Sequence, residues 1–176
     1  MLQFKQITER ERLNKQMNIW QQFEKRPDKD IKDQGISFHY EKGIELVLKK
    51  QYVDFSGWLR KNYCFPVHIN IYILNQEKVK LSSGVWAYGS FRWFENRPPR
   101  IKIPSKIEYD LLSEYTYDEI YEQILSSLVH ELTHYFQWVL RLEQSNAVSE
   151  RQANYYRYRI IDKYKKEKSV HNLNPL

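Results

Sequence analysis

Thr116-Tyr117-Asp118-Glu119 opens the most constraining stretch of this chain. A threonine followed three residues later by a glutamate is a capping box: its oxygen accepts from the backbone N–H of residue 119, and the glutamate reaches back to the cap. Behind it Ile120, Ile124, Leu128, Leu132, Phe136 and Leu140 recur every four residues. That spacing predicts a long helix whose apolar stripe faces a core, so the fold has to be built around it. Gln123, Ser127, His130, Glu131 and His134 form a separate polar strip, and this flank is expected to line a cleft.

The polar strip contains His-Glu-x-x-His within Val129-His130-Glu131-Leu132-Thr133-His134-Tyr135. Residues four apart share a helix face, so His130 and His134 can present two imidazole nitrogens to one metal ion while Glu131 stands beside it. A catalytic zinc site usually takes three protein ligands and leaves a fourth position for water. The downstream candidates for a third ligand are Glu143, Glu150, Asp162, Glu167 and His171. Ser145-Asn146 followed by Ala147-Val148-Ser149-Glu150 reads as the start of a second helix that continues to about Lys166. With a turn near Leu142 to Gln144, antiparallel packing brings Glu150 level with His134. Glu150 is therefore favoured, and Glu143, which sits in the connection and needs a sharp reversal, is the alternative. Asn154, one turn beyond Glu150, is placed to hydrogen-bond a ligand histidine. Ala147 and Ala153 are small enough to let the helices approach. Tyr155 and Tyr158 are candidates for stabilising an oxyanion.

His130-Glu131-Leu132-Thr133-His134 followed by Glu150-Arg151-Gln152-Ala153-Asn154 resembles the gluzincin type of metallopeptidase, and most closely the minigluzincins and the ImmA/IrrE-like peptidases. The resemblance runs from near Arg100 to the end of the second helix. It implies a zinc-dependent peptidase with His130, His134 and Glu150 on Zn2+ and Glu131 as general base, acting on a peptide or protein, in the cell a narrow target such as a repressor. It also implies that a strand in the Trp86 to Trp93 region borders the cleft and pairs with extended substrate. One departure is Asn154, a neutral amide where gluzincins commonly carry an aspartate or another small residue.

The rest of the chain sets the frame. Ile7 to about Lys25 reads as a helix, ended by Arg26-Pro27-Asp28, with a charged linker after it. Helical pattern resumes from Glu41 to Gln51, and Asp54 is a candidate cap for a further segment through Tyr63. Val67 to Leu74 alternates as a strand. Gly84 to Phe94 reads as another, with Gly89 marking a bulge or a close backbone approach, and Arg100 to Ile103 as a short third. The expected architecture is α+β: N-terminal helices, a small twisted sheet of about three strands, then an active-site helix and a glutamate-bearing second helix. A single domain over 1–176 is expected, with a helical part at 1–65, a zinc-peptidase-like core at 66–168 and a tail at 169–176. The helical part is also a candidate cover for the cleft.

With 41% hydrophobic and 15% aromatic residues the chain has enough apolar surface for one core. It has no apolar run of membrane-spanning length, and its N-terminus lacks the apolar stretch of a signal peptide, which together point to the cytoplasm. Cys64 is the only cysteine, which excludes an internal disulfide. The net charge of +6 comes from lysines and arginines interspersed with glutamates at both ends. No zinc finger, helix-turn-helix or phosphate loop is readable, so no motif indicates a nucleic-acid partner. The competing reading is a non-enzymatic module, zinc-containing or zinc-free, whose basic and aromatic surface binds protein or nucleic acid. Glu131 argues against it, because a structural site has no use for a general base there.

Overall fold

Ile36, Phe38 and Tyr40 alternate with Ser37 and His39, and in the computed structural model this run, expected to be linker, is the first strand, β1 (Ile36–Tyr40). The structure describes residues 18–173. Helix α1 (Leu46–Asn62) crosses from β1 to β2 (Ile69–Leu74), which lies parallel to β1 with Ile36 opposite Ile69 and Tyr40 opposite Ile73. A small hairpin follows, β3 (Val79–Lys80) paired with β4 (Trp86–Ala87), then β5 (Ser90–Arg92) and β6 (Arg100–Pro104). β6 is parallel to β2 and carries β5 antiparallel on its other side, giving the order β1-β2-β6-β5. A 3-10 turn (Tyr109–Ser113) leads into helix α2 (Tyr117–Val139), and α3 (Asn146–Leu173) completes the chain.

Period-two alternation decides which face of the sheet is buried. Ile36, Ile69, Ile71, Ile73, Ile101 and Ile103 all lie on one face and join the hydrophobic core. His39 and Tyr72 lie on the other, stacked at 4.8 Å between ring centroids. His68, also off the apolar face, bonds the Gln34 carbonyl through Nδ1 at 2.9 Å.

The α+β architecture is as expected, with three differences in detail. First, the sheet has four strands plus the separate hairpin, because the run from Gly84 to Phe94 breaks at Tyr88-Gly89 into β4 and β5, which pair with different partners. Second, α1 is one helix. Asp54 does not cap a new segment: its carboxylate accepts from Lys50 one turn back at 3.1 Å and meets Lys168 of α3 at 3.4 Å. Third, the segment expected as a tail is helical through Leu173.

The part expected to be helical before residue 66 is thus mixed, since β1 belongs to the sheet. Residues 7–17 of the expected first helix lie outside the described residues. Its described end is a 3-10 turn (Trp20–Phe23) buried behind α2. Trp20 donates its indole N–H to Thr133 Oγ1 at 2.9 Å, and Phe23 stacks on Phe136 at 4.3 Å. The capping box at Thr116 is present, with Glu119 N donating to Thr116 Oγ1 and Thr116 N to Glu119 Oε2.

Asp33 joins the N-terminal segment to the end of α1. Its Oδ1 accepts from the backbone N–H groups of Gly35 and Phe65, each at 3.0 Å, and its Oδ2 meets Lys25 at 2.7 Å. Burial alone would raise this carboxyl, but the Lys25 ammonium and the two N–H donors outweigh it and hold Asp33 below the ordinary carboxylate value. A depressed folded-state pKa gives stability that is present above the unfolded value of ~4 and lost as pH falls through the folded one. Asp33→Ala is therefore expected to cost about 1–3 kcal/mol near neutral pH. Urea denaturation of both proteins checks this, and the difference should shrink as the pH is lowered through the acid range.

Candidate metal centre

The sequence of α2 puts His130 and His134 one helical turn apart, and α3 returns antiparallel against that turn. The reversal is tight. α2 ends with Arg141 at φ +52, a left-handed conformation, while the N–H groups of Arg141 and Leu142 close onto the carbonyls of Trp138 and Gln137. Ser145 then caps α3, accepting from Val148 N at 3.4 Å. Ala153 is fully buried between the helices, as its size suggested, whereas Ala147 is exposed and does not mediate the approach.

This hairpin brings His130, His134 and Glu150 together as a group that can hold a metal ion. The two Nε2 atoms are 3.1 Å apart, Glu150 Oε2 lies 3.3 Å from His130 Nε2, and Glu150 Oε1 lies 3.2 Å from His134 Nε2. Tetrahedral ligation with bonds of ~2.0–2.2 Å places ligand atoms about 3.3–3.6 Å apart, close to the spacings at which these side chains meet. Glu143 lines the same cleft but is not part of the group.

His134 is oriented by Gln137, which the motif did not single out. The buried Gln137 side chain meets His134 Nδ1 through Oε1 at 2.8 Å, accepts from Ser149 Oγ at 2.5 Å, and donates through Nε2 to the Ser149 carbonyl and to Gln152 Oε1. One amide thus fixes a ring on α2 and the first turns of α3 together. Its signal was its place three residues after His134, on the same face. Asn154, on the exposed side of α3, interacts with His130 and favours its charged form. His130 Nδ1 itself is buried with no hydrogen-bond partner. Burial lowers the His130 pKa, with the charges of His134 and Arg157 in the same direction. A neutral ring is the form that ligates metal.

Glu131 was expected on a polar strip facing a cleft, and it is almost wholly buried at the cleft floor, 9% exposed. Burial first, and the Glu150 carboxylate second, push its pKa up to about 8, opposed by the Phe91 backbone N–H and the Arg157 guanidinium. Gly89 lies against it: a Cβ there would come within 2.6 Å of Glu131 Oε1. The close backbone approach anticipated at Gly89 is this contact.

The cleft over the group has a volume of about 1080 Å³ and is bordered by β5, the free edge of the four-stranded sheet. Val67 is the first residue in chain order to line it, so the described part of the N-terminal third does not cover it. Phe91 packs on Tyr135 and Trp138, whereas Trp86 and Trp93 are exposed. Tyr155 and Tyr158 are about half exposed, at 53% and 51%, and neither lines the cleft. Arg157 does border His130 and Glu131. It lies one turn beyond Asn154 on the same side of α3, a spacing readable once Glu150 and Asn154 were placed.

No protein-family model, curated protein or solved structure matches the chain. No helix among the described residues is long and apolar enough to cross a membrane.

Glu150→Ala removes one of three ligands, and metal measured by elemental analysis is expected to fall from stoichiometric in the wild type to trace. Gly89→Ala is expected to keep its metal but lose about 1–3 kcal/mol of stability in urea through crowding against Glu131. Adding Glu131→Ala should recover most of that loss; a purely additive double mutant would show that the crowding lies elsewhere.

Proposed function

We propose that the protein is a zinc-dependent peptidase, and the observation that carries this reading is the convergence of two imidazole nitrogens 3.1 Å apart with the two Glu150 carboxylate oxygens, 3.3 and 3.2 Å from them, beside the buried Glu131. His130, His134 and Glu150 would hold the ion: two neutral imidazoles and one carboxylate suit zinc and leave a fourth position open towards the cleft. When bound, zinc supplies Lewis acidity towards a carbonyl oxygen and acidifies water.

The chain's own residues account for the remaining roles. Glu131 receives the proton of the attacking water on its carboxylate and passes it to the leaving nitrogen, so that a neutral amine departs. The Phe91 N–H holds that carboxylate from the sheet side, and the missing Cβ of Gly89 gives it room. Gln137 keeps His134 turned with Nε2 towards Glu150.

β5 supplies the wall along which a substrate lies. It is antiparallel to β6, has no strand on its other side among the described residues, and borders the cleft. An extended peptide pairing with that edge gains main-chain hydrogen bonds and places alternate side chains into the cleft. This favours an unfolded or loop segment of a peptide or protein as substrate. Trp93, exposed and lining the cleft, offers apolar contact beyond the strand.

Glu131→Gln is nearly isosteric and cannot take a proton, so it should retain zinc while hydrolysis falls by roughly 10²–10⁴-fold. Digestion of a complex peptide mixture read by mass spectrometry, with zinc content measured on the same samples, checks both. Cleavage by wild type but not by the variant supports the assignment; equal cleavage by both, or cleavage by neither, counts against it.

A further inference from the structure

Arg157 is a half-buried cation in the cleft wall with no carboxylate within ion-pair distance among the described residues. Its guanidinium donates through Nη2 at 2.8 Å and Nε at 3.3 Å to Ser126 Oγ, and packs over the Tyr158 ring at 5.1 Å. Ser126 is itself buried and anchored to the Gln123 carbonyl at 2.8 Å. The charge is therefore positioned without a direct ion pair, and the carboxylate it favours across the same space is Glu131. It stands where a narrow space of about 180 Å³ leaves the metal group, bordered by Gly89, Ser127, His130 and Glu131.

Next to that space lies a second cavity of about 450 Å³, which shares Tyr88, Ser127 and Arg157 with it as walls. Ile107, Leu111, Tyr115, Ile120 and Ile124 supply apolar walls. The carboxylates at its rim already have partners: Glu77 meets Lys106 at 3.9 Å, Glu108 meets Lys78 at 3.3 Å, and Glu119 is held in the capping box. The passage thus presents a fixed positive charge at the mouth of an apolar chamber next to the metal group.

We infer that this passage binds the C-terminal residue of a peptide, its free α-carboxylate on Arg157 and a large apolar side chain in the chamber behind it. The two groups leave one Cα, which matches a cation at the mouth and apolar walls beyond. An acidic side chain fits less well, since its charge would travel into the chamber towards Glu77, Glu108 and Glu119. Arginine presents its N–H donors in a planar fork that matches a carboxylate. The inference rests on the peptidase reading and narrows it: the bond cut is the one just before the chain end, and the products are a shortened peptide and a free apolar amino acid. Water adds across that amide as the C–N bond breaks, its hydroxyl to the carbonyl carbon and its remaining proton to the leaving nitrogen.

The test separates this inference from the reading beneath it by measuring binding in metal-free protein, where hydrolysis is not required. N-acetyl-Ala-Phe as the free acid and as the C-terminal amide is titrated into the wild type, Arg157→Gln and Arg157→Lys, with two-dimensional NMR reporting the site and circular dichroism the fold. The free acid should bind the wild type about tenfold more tightly than the amide, the size of one charge-assisted contact. Its shifts should centre on Tyr88, Ile120, Ile124 and Ser126. That preference should vanish in Arg157→Gln and persist in part in Arg157→Lys. Equal binding of acid and amide, binding of neither, or an acid preference that survives Arg157→Gln overturns the inference. If the zinc-loaded enzyme cuts amidated peptides as well as free acids, the peptidase reading stands and this narrowing of it falls.

Discussion

The antiparallel contact between α2 and α3 is the constraint on which the candidate site depends. Two ligands come from one helix and the third from the other, so the axial register of the pair decides whether Glu150 lies beside His130 and His134 or a turn away. Ala153, fully buried, lets the helices come close, while Tyr156, Ile160, Ile161 and Tyr164 bury the rest of that face of α3 in the core. Near the metal group, packing gives way to Gln137, whose four contacts span both helices and end on a ligand ring. Apolar burial holds the pair together, and a buried amide sets its register where the chemistry needs it.

Glu131 shows the opposite side of that arrangement. A carboxylate this buried, with a second one near it, is an electrostatic cost that the fold meets with two local devices. One is the Phe91 N–H and the other the Arg157 guanidinium, while the absence of a side chain at Gly89 lets the sheet edge close over the acid. Gly89 lies in the turn that splits β4 from β5, and Phe91 follows it in β5. The break at Tyr88-Gly89 is therefore more than an interruption of a strand, since it is where the sheet hands a donor and a gap to the helix.

Helical features were readable in the sequence and sheet features less so, for a physical reason. The capping box at Thr116 and the four-residue repeat after it are local signals, and the spacing of His130, His134 and Glu150 follows from helix geometry plus one turn. β1 was missed because five alternating residues between charged stretches carry little local signal, and its stability comes from pairing with β2, distant in sequence. The division at Asp54 failed because a residue able to cap a helix there pairs along it instead, with Lys50 and Lys168. The single strand from Gly84 to Phe94 failed because its aromatic content is real but its partners differ on either side of Gly89. Tyr155 and Tyr158 were reasonable by chemistry, yet each points along the exposed side of α3, where neighbouring arginines pack on their rings. Arg157, between them in sequence, faces the cleft.

The position of the N-terminal segment follows from how α2 is covered. A helix that carries a polar site on one side must bury the others, and the sheet and α3 leave the back of its last turns to be filled. Ile19, Trp20 and Phe23 fill it, against Thr133 and Phe136 and next to Tyr63. Thr133 lies between His130 and His134 in sequence, about a quarter-turn round the helix from them and fully buried, so its bond to Trp20 fixes the rotation of the turn that presents them. The described part of this segment lines no part of the cleft. Its influence on the site runs through the core, and shortening the chain past Trp20 would act first on the setting of α2.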